Sequence, residues 1–292
     1  MIYRRRASPL HAARAAVAIA WCVALGVATM LESNPVILGV LAVSVAGAAA
    51  LAGVGRELRR SLRWSVPLWI GVAVVNALVT RNGLTVIWRF GDLPLLGQTN
   101  ITLEATVYGA LLGLRAVVLI QLGTLYSVAV DPDAVLRLFR GLSFRSALSA
   151  TIATRMVPVL LRDSRRLAEA QRCRPGDPPG RAQLLRASTA GVIDRALDVA
   201  ATLEVRGYGA ARRAPRRRTS IWDRGWSRHD LAFLASAGGL LGVVLVARVG
   251  GWDAFTAYPL LRAPAGARTL GAAGALLLAA LLPFLDRRGI EP

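Results

Sequence analysis

The sequence predicts an all-α, polytopic integral membrane protein with about six transmembrane helices and two long, crossing cytoplasmic helices. Hydrophobic residues fill 54% of the 292 positions and the mean hydropathy is +0.48, values typical of a membrane protein. The formal net charge is +19, and the charges are kept apart from long apolar runs. A soluble globular fold is therefore not expected.

Six apolar runs follow one another along the chain, each close to the ~17–25 residues that a helix needs to cross a bilayer. They cover residues 15–31, 36–55, 64–80, 105–130, 231–247 and 269–285, and Arg115 is the one charged residue inside them. The first run follows an arginine triplet as a secretory signal does, but it has no small-x-small cleavage site. It continues through ESNP at 32–35 into the second run, which predicts a helical hairpin.

Arginine placement predicts the orientation of these spans. Arginines precede the first run and lie between the second and third, whereas the loop between the first and second has none. Because short cytoplasmic loops are enriched in Lys and Arg, the N-terminus is predicted to be cytoplasmic. Six spans return the C-terminus to the same side, so the chain is expected as a multi-pass protein of the cell membrane.

The segment 131–229 is then cytoplasmic, with predicted helices at 134–140, 146–174 and 181–205. Asp131 and Pro132 predict the N-cap and first turn of the first of these. Pro158 is expected to kink the second, because proline removes a backbone hydrogen bond. The second helix is amphipathic in its latter half and the third is rich in small residues, which favours close crossing of the pair.

The predicted organisation has four parts. They are an N-terminal membrane domain at 1–130, a cytoplasmic helical domain at 131–208, a basic juxtamembrane linker at 209–229 and a C-terminal membrane hairpin at 230–292. The arginines of the cytoplasmic part could face anionic lipid headgroups, nucleic acid or an acidic protein partner. In the linker, arginines and tryptophans immediately precede a membrane span, which favours contact with lipid headgroups over nucleic acid.

Catalysis by this chain is not expected, and no catalytic, cofactor-binding or metal-binding residue is predicted. All 36 basic residues are arginine, so a Walker A lysine and a Schiff-base lysine are both excluded. The cysteines and histidines occur singly, without metal-ligand spacing, at Cys22, Cys173, His11 and His229. An Asp-rich motif of the kind that holds Mg²⁺ in prenyl or lipid transferases is also missing.

Two consecutive cytoplasmic helices end in an arginine. Arg174 stands before Pro175 and Gly176, and Arg206 stands before Gly207. A single such residue is explained by the helix dipole, which favours a cation at the last turn. Two in succession, in a protein without catalytic residues, suggest arginines that insert into acidic grooves of a partner.

The segments RMVPVLLRDSRRLAEAQRCRPG and RALDVAATLEVRGYGAARR resemble the two signature regions of the transmembrane T component of energy-coupling factor (ECF) transporters, the EcfT or CbiQ-like family. The resemblance implies that each of two coupling helices ends in an Ala-Arg-Gly-type tripeptide that docks on an ABC ATPase. Arg174 falls on the first motif arginine, Arg206 on the second, and Gly207 on its glycine. Cys173 and Val205 stand where the pattern has alanine, and Pro175 stands where it has the first glycine.

The resemblance implies a scaffold that holds two ABC ATPase subunits and a membrane substrate-binding S component within the lipid bilayer. Such a scaffold couples ATP hydrolysis in its partners to uptake of a vitamin or a transition-metal ion such as cobalt. ATP would then be bound by the partners, with no cofactor on this chain and no nucleic-acid partner. The alternatives are a transmembrane subunit of another ABC transporter and a membrane-embedded lipid transferase.

Three further residues are assigned structural roles. Arg115 is an intramembrane charge, which by itself suggests function, but a structural role is preferred, either near the membrane interface or satisfied by polar side chains within the bundle. Asp194 and Asp198 lie one turn apart on the third cytoplasmic helix. They are expected to pair with arginines of the preceding helix and so lock the two helices together.

Overall fold

The computed structural model describes residues 6–80, 85–93, 97–139, 144–173, 181–207, 226–252, 255–256 and 266–286. Its elements in chain order are α1 (Pro9–Ala12), α2 (Ala15–Leu31), α3 (Pro35–Leu51), α4 (Gly55–Val79), β1 (Val86–Leu93), β2 (Gly97–Thr102), α5 (Leu103–Ala129), α6 (Pro132–Phe139), α7 (Phe144–Arg172), α8 (Arg181–Val205), α9 (Arg228–Val249) and α10 (Ala267–Leu281). A 3₁₀ turn at Leu282–Phe284 continues α10.

Each of the six predicted apolar runs forms a helix, namely α2, α3, α4, α5, α9 and α10. Within the described residues, four stretches are long and apolar enough to cross a membrane: Gly55–Val79, Leu103–Ala129, Arg228–Val249 and Ala267–Phe284. The helices α2 and α3 have 17 residues each, so each is about 26 Å long at 1.5 Å per residue. The prediction of an all-α polytopic membrane protein is confirmed.

The chain forms two compact units, residues 1–135 with 226–292, and residues 136–225. In the first unit, Trp21 of α2, Phe233 of α9 and Phe284 are fully buried and meet edge to face, with ring centroids 5.2 to 5.6 Å apart. Trp21 Nε1 also donates to Ser236 Oγ at 2.9 Å. Buried aromatic rings of this geometry stabilise a core beyond their area, so the segments predicted at 1–130 and 230–292 fold together.

Glycines allow α4 and α5 to approach closely. A Cβ atom added to Gly109 of α5 would lie 3.1 Å from Ala73 Cα and 2.7 Å from Asn76 Cβ of α4. Buried side chains join the same pair of helices by hydrogen bonds, Ser61 to Thr124 at 2.9 Å and Gln121 to Ser65 at 3.0 Å. Small residues at close helix contacts and interhelical hydrogen bonds are the usual means of association in membranes.

An antiparallel hairpin of β1 and β2 connects α4 to α5 and is the departure from the helical prediction. Its first strand, VIWRFGDL, is rich in β-branched and aromatic residues, which favour strands. Thr85, just before β1, donates to the carboxylate of Glu104 from its backbone N at 3.2 Å and from Oγ1 at 2.7 Å. The start of the hairpin is thereby fastened to the first turn of α5.

The second unit contains α7 and α8. The helix α7 continues through Pro158, and the helix before it, α6, begins where the Asp131 side chain accepts from Asp133 N at 2.9 Å. In the amphipathic latter half of α7, Leu160 and Leu167 are half-buried, whereas Ala170 is exposed. In α8, Val199 and Leu203 are half-buried, whereas Val192 and Ala196 are exposed.

Candidate functional site

The tip of α8 owes its shape to Gly207. Its φ is +72°, in the left-handed region that glycine adopts without steric cost. Arg206 N donates to Thr202 O at 3.1 Å and Gly207 N donates to Glu204 O at 2.8 Å. The second bond satisfies a carbonyl that the helix end would leave without a partner. The helix therefore ends at the predicted residue, for a local backbone reason.

The side chains at this tip point away from the described protein. Arg206 is exposed, and Val205 beside it is 89% exposed. Within the part of the chain that the structure describes, no hydrogen bond or ion pair involves the Arg206 guanidinium. The tip thus presents an apolar and a cationic side chain together, and the arginine keeps its planar set of donors available.

The tip of α7 is described as far as Cys173. Cys173 is exposed, and its backbone N donates to Glu169 O at 3.3 Å. Arg174 and Pro175, which carry the first predicted docking motif, lie outside the described residues. Their role stays a prediction from the sequence.

An ion pair joins α7 to α8, but through other residues than predicted. Arg195 Nη1 of α8 donates to Asp163 Oδ2 of α7 at 2.5 Å, with both side chains about two-fifths exposed at 40% and 38%. Asp194 and Asp198 are exposed, and the described ion pairs do not include them. The ion pair between the two helices therefore has the cation on α8 and the carboxylate on α7, opposite to the prediction. The reason is that Arg195, and not the two aspartates of α8, faces α7.

Arg115 forms one hydrogen bond within the unit of residues 1–135 and 226–292, called here the membrane unit. Its Nη2 donates to the backbone O of Glu32 at 2.6 Å, and Arg248 Nη1 from α9 donates to the neighbouring Leu31 O at 2.5 Å. Two arginines from different helices therefore cap the C-terminal end of α2, where carbonyls lack intrahelical partners and the dipole favours cations. The partner of Arg115 is thus a backbone carbonyl, and sequence reasoning missed Arg248 because it follows the last residue of a predicted span.

No group of three His, Cys, Asp or Glu side chains suited to a metal ion occurs among the described residues. The histidines and cysteines within those ranges are distributed over separate elements, with Cys22 buried in α2 and Cys173 exposed at the end of α7.

Comparison with protein families matches residues 6–217 to CbiQ, the cobalt transport protein family. The chain belongs to the CbiQ family. The match includes everything from α1 to the tip of α8, and with it both predicted docking motifs. A comparison with curated proteins gave no significant match.

The CbiQ family places the chain among membrane components of cobalt transport, which agrees with its apolar helices. The helices α9 and α10 lie beyond the matched residues, yet their side chains complete the core around Trp21. The CbiQ-matched part is thus folded together with a C-terminal pair of helices.

Sequence reasoning also missed a group of polar residues where α9 begins. Asp230 is buried, with 1% of its surface exposed, and forms an ion pair with Arg14 at 3.2 Å. The pattern Ser227-x-x-Asp230 before an apolar run was the available signal, since it predicts a capping box. The long-range partner, 216 positions away in sequence, had no signal in the sequence.

Proposed function

We propose that this chain is the transmembrane T component of an ECF-type ABC importer. In this role it couples ATP hydrolysis by two partner ABC ATPases to uptake of a transition-metal ion or a vitamin through a membrane S component. The N- and C-termini and the second unit lie on the cytoplasmic side. Membership in the CbiQ family supports the assignment to transport. The assignment to an ECF T component that binds ABC ATPases rests on the tip of α8.

The observation that carries the proposal is an exposed arginine on a helix end fixed by Gly207. The left-handed cap stops α8 directly after Arg206, so the guanidinium stands at the extreme end of the helix. A guanidinium presents donors in a rigid fork that matches a carboxylate bidentately. Val205, 89% exposed, adds apolar surface that a partner groove would bury.

A helix of this kind can transmit force. The helix α8 contains 25 residues and α7 contains 29, lengths of about 38 and 44 Å at 1.5 Å per residue. The Asp163–Arg195 ion pair joins them. A partner that holds the tip of α8 therefore moves a long, regular element rather than a loop.

The energy source must come from the partners. The chain has no lysine, and a phosphate-binding loop of the Walker type requires one. We therefore expect the purified chain alone to hydrolyse ATP only at background level, with turnover appearing when the ATPases are added.

Copurification tests the proposal. The tagged chain is expressed with the ABC ATPases encoded in neighbouring reading frames, and the recovered ATPase is quantified for Arg206→Ala, Arg174→Ala and the double variant. Truncating one member of a buried interfacial charge pair typically costs about 2–5 kcal/mol, against about 0.3–1 kcal/mol for an arginine that only caps a helix. Arg206→Lys should recover part of the binding, because an ammonium lacks the bidentate geometry.

Arg186→Ala is the matched control, since Arg186 is an exposed arginine of α8 far from the tip. It should leave ATPase recovery unchanged, whereas the double variant should release the ATPases from the membrane. Full recovery of ATPase with the double variant would show that the tips are ordinary helix ends, and the proposal would be wrong.

A further inference from the structure

The residues Arg14, Trp226, Ser227 and Asp230, called here the Asp230 cluster, hold together the starts of α2 and α9. Asp230 Oδ1 accepts from Arg14 N at 2.7 Å, and Oδ2 accepts from Ser227 N at 3.0 Å and lies 3.2 Å from Arg14 Nε. One buried carboxylate therefore accepts two backbone N–H groups and forms an ion pair with one guanidinium. Hydrogen bonds to an ionised group are short and about twice as strong as neutral ones.

The cluster also fixes the residues that precede α9. Ser227 Oγ accepts from Asp230 N at 3.1 Å, which completes a capping box with the Ser227 N bond. The Arg14 guanidinium lies over the Trp226 ring, 5.3 Å from its centroid, and is only 15% exposed. A cation at this distance from an indole face is attracted by it, more so when desolvated.

A capping box alone would suffice to start α9, so the bonds to Arg14 need a further explanation. Arg14 is the N-cap residue of α2, and α2 is the helix whose Trp21 lies in the aromatic core with Phe233. The cluster thus ties the first residues of α9 to the central packing of the membrane unit, and not to one helix only.

The place of the cluster in the chain supplies that explanation. The chain leaves the membrane unit after Val135 and returns to it at Trp226. The two covalent connections to the unit that contains α7 and α8 are therefore α6 and the segment that ends at Trp226. Helix ends are the first parts of a protein to open locally. A pull on the chain at Trp226 would therefore unwind the first turn of α9 if no tertiary bond held that turn.

We propose that the Asp230 cluster is the anchor through which movement of α7 and α8 is delivered to the membrane unit. This inference rests on the proposed function, and its residues are positioning residues, since they act through the connected helices and contact no substrate. A secured first turn converts a displacement of the preceding segment into movement of α9 and α2.

The test uses the complex of this chain with its ATPases in lipid vesicles, in a Cys173→Ser background. A fluorophore on Ile87→Cys reports ATP-dependent change in the membrane unit, because Ile87 is exposed on β1. Asp230→Asn should leave ATPase copurification and the ATP hydrolysis rate unchanged. It should abolish most of the ATP-dependent fluorescence change.

Glu57→Gln is the matched control. Glu57 of α4 forms an ion pair with Arg6 at 2.6 Å in the same unit, with both side chains 29% exposed, but it lies outside the returning segment. The control should keep the full fluorescence change. An equal loss in both variants would show that Asp230 contributes only to general stability, and the inference would be wrong.

A second variant keeps the cluster intact, so it remains informative if Asp230→Asn fails to fold. Six Gly and Ser residues inserted between Gly225 and Trp226 lengthen the chain immediately before the Asp230 cluster. The insertion should reduce the fluorescence change to a similar extent. A full change with the insertion, or no change in the unmodified complex, overturns the inference. Failure of the unmodified chain to copurify ATPases would instead contradict the proposed function.

Discussion

At the scale of single residues, the protein uses glycine and arginine where helices end. Gly207 adopts a left-handed backbone that other residues reach only at a cost. Arg115 and Arg248 instead donate to the final carbonyls of α2 from neighbouring helices. In both cases, backbone carbonyls at a helix end gain hydrogen-bond partners that the helix itself cannot supply. The glycine acts through the local backbone, whereas the arginines reach α2 from other helices.

Gly207→Ala should loosen the tip of α8. A Cβ atom in the left-handed region costs about 1–2 kcal/mol, so we expect the amides of residues 206 and 207 to exchange hydrogen about 5–30 times faster, the ratio that this energy represents. Hydrogen exchange with mass spectrometry measures the change. Gly191→Ala is the control, because Gly191 lies inside α8 with open space around it, and there alanine favours the helix. Equal exchange in both variants would contradict the role of the left-handed cap.

Arg115→Leu should destabilise the membrane unit. The substitution removes a hydrogen bond from a charged donor to a carbonyl at the end of α2, which is worth about 1.5–3 kcal/mol. Thermal unfolding in detergent should therefore show a lower midpoint. Arg248→Leu should lower it less, because that hydrogen bond is exposed to the surroundings. An unchanged unfolding midpoint for Arg115→Leu would contradict the structural role and favour a functional role for Arg115.

At the scale of elements, the association of α4 with α5 depends on surface shape. Exposed apolar side chains cover much of α4, among them Trp64 at 81%, so in a bilayer this helix meets lipid on one side and α5 on the other. Lipid tails are as apolar as these side chains, and burial of apolar area therefore supplies little driving force. Close contact at Gly109 and the polar pairs Ser61–Thr124 and Ser65–Gln121 supply it instead.

Gly109→Val should force α4 away from α5. The added side chain would overlap the backbone of Ala73, and overpacking of this kind costs typically about 1–3 kcal/mol. Thermal unfolding in detergent should show a lower midpoint. Gly123→Val is the matched control on the same helix, because nothing lies within 4 Å of a Cβ atom there. A drop of equal size in the control would mean that helix propensity, not contact with α4, explains the effect.

At the scale of the whole molecule, the cysteines provide a native test of orientation. Cys22 is buried and Cys173 is exposed at the end of α7, so a membrane-impermeant maleimide should label Cys173 only after the cell membrane is permeabilised. A cysteine introduced at Ile87 in the hairpin, in a Cys173→Ser background, should label in intact cells. Labelling of Cys173 in intact cells would place α7 and α8 outside, and the transporter assignment would fail.

The helices could be predicted from the local sequence. An apolar run in a bilayer must satisfy every backbone group within its own segment, so composition and length fix it as a helix whatever its neighbours are. The C-terminal end of α8 could be predicted for a similar reason, because it depends on Gly207 and on hydrogen bonds to the nearby residues Thr202 and Glu204. The absence of lysine likewise excluded whole classes of enzyme before any contact was known.

Which polar groups meet depends instead on long-range packing. The partner of Arg115 lies 83 positions away and that of Asp230 lies 216 positions away, and no local pattern encodes such distances. The ion pair between α7 and α8 was assigned to Asp194 and Asp198, but a rotation of one residue on a helix moves a side chain by about 100°. The face of α8 that packs on α7 therefore selects Arg195 and Asp163, and that choice depends on the summed packing of both helices.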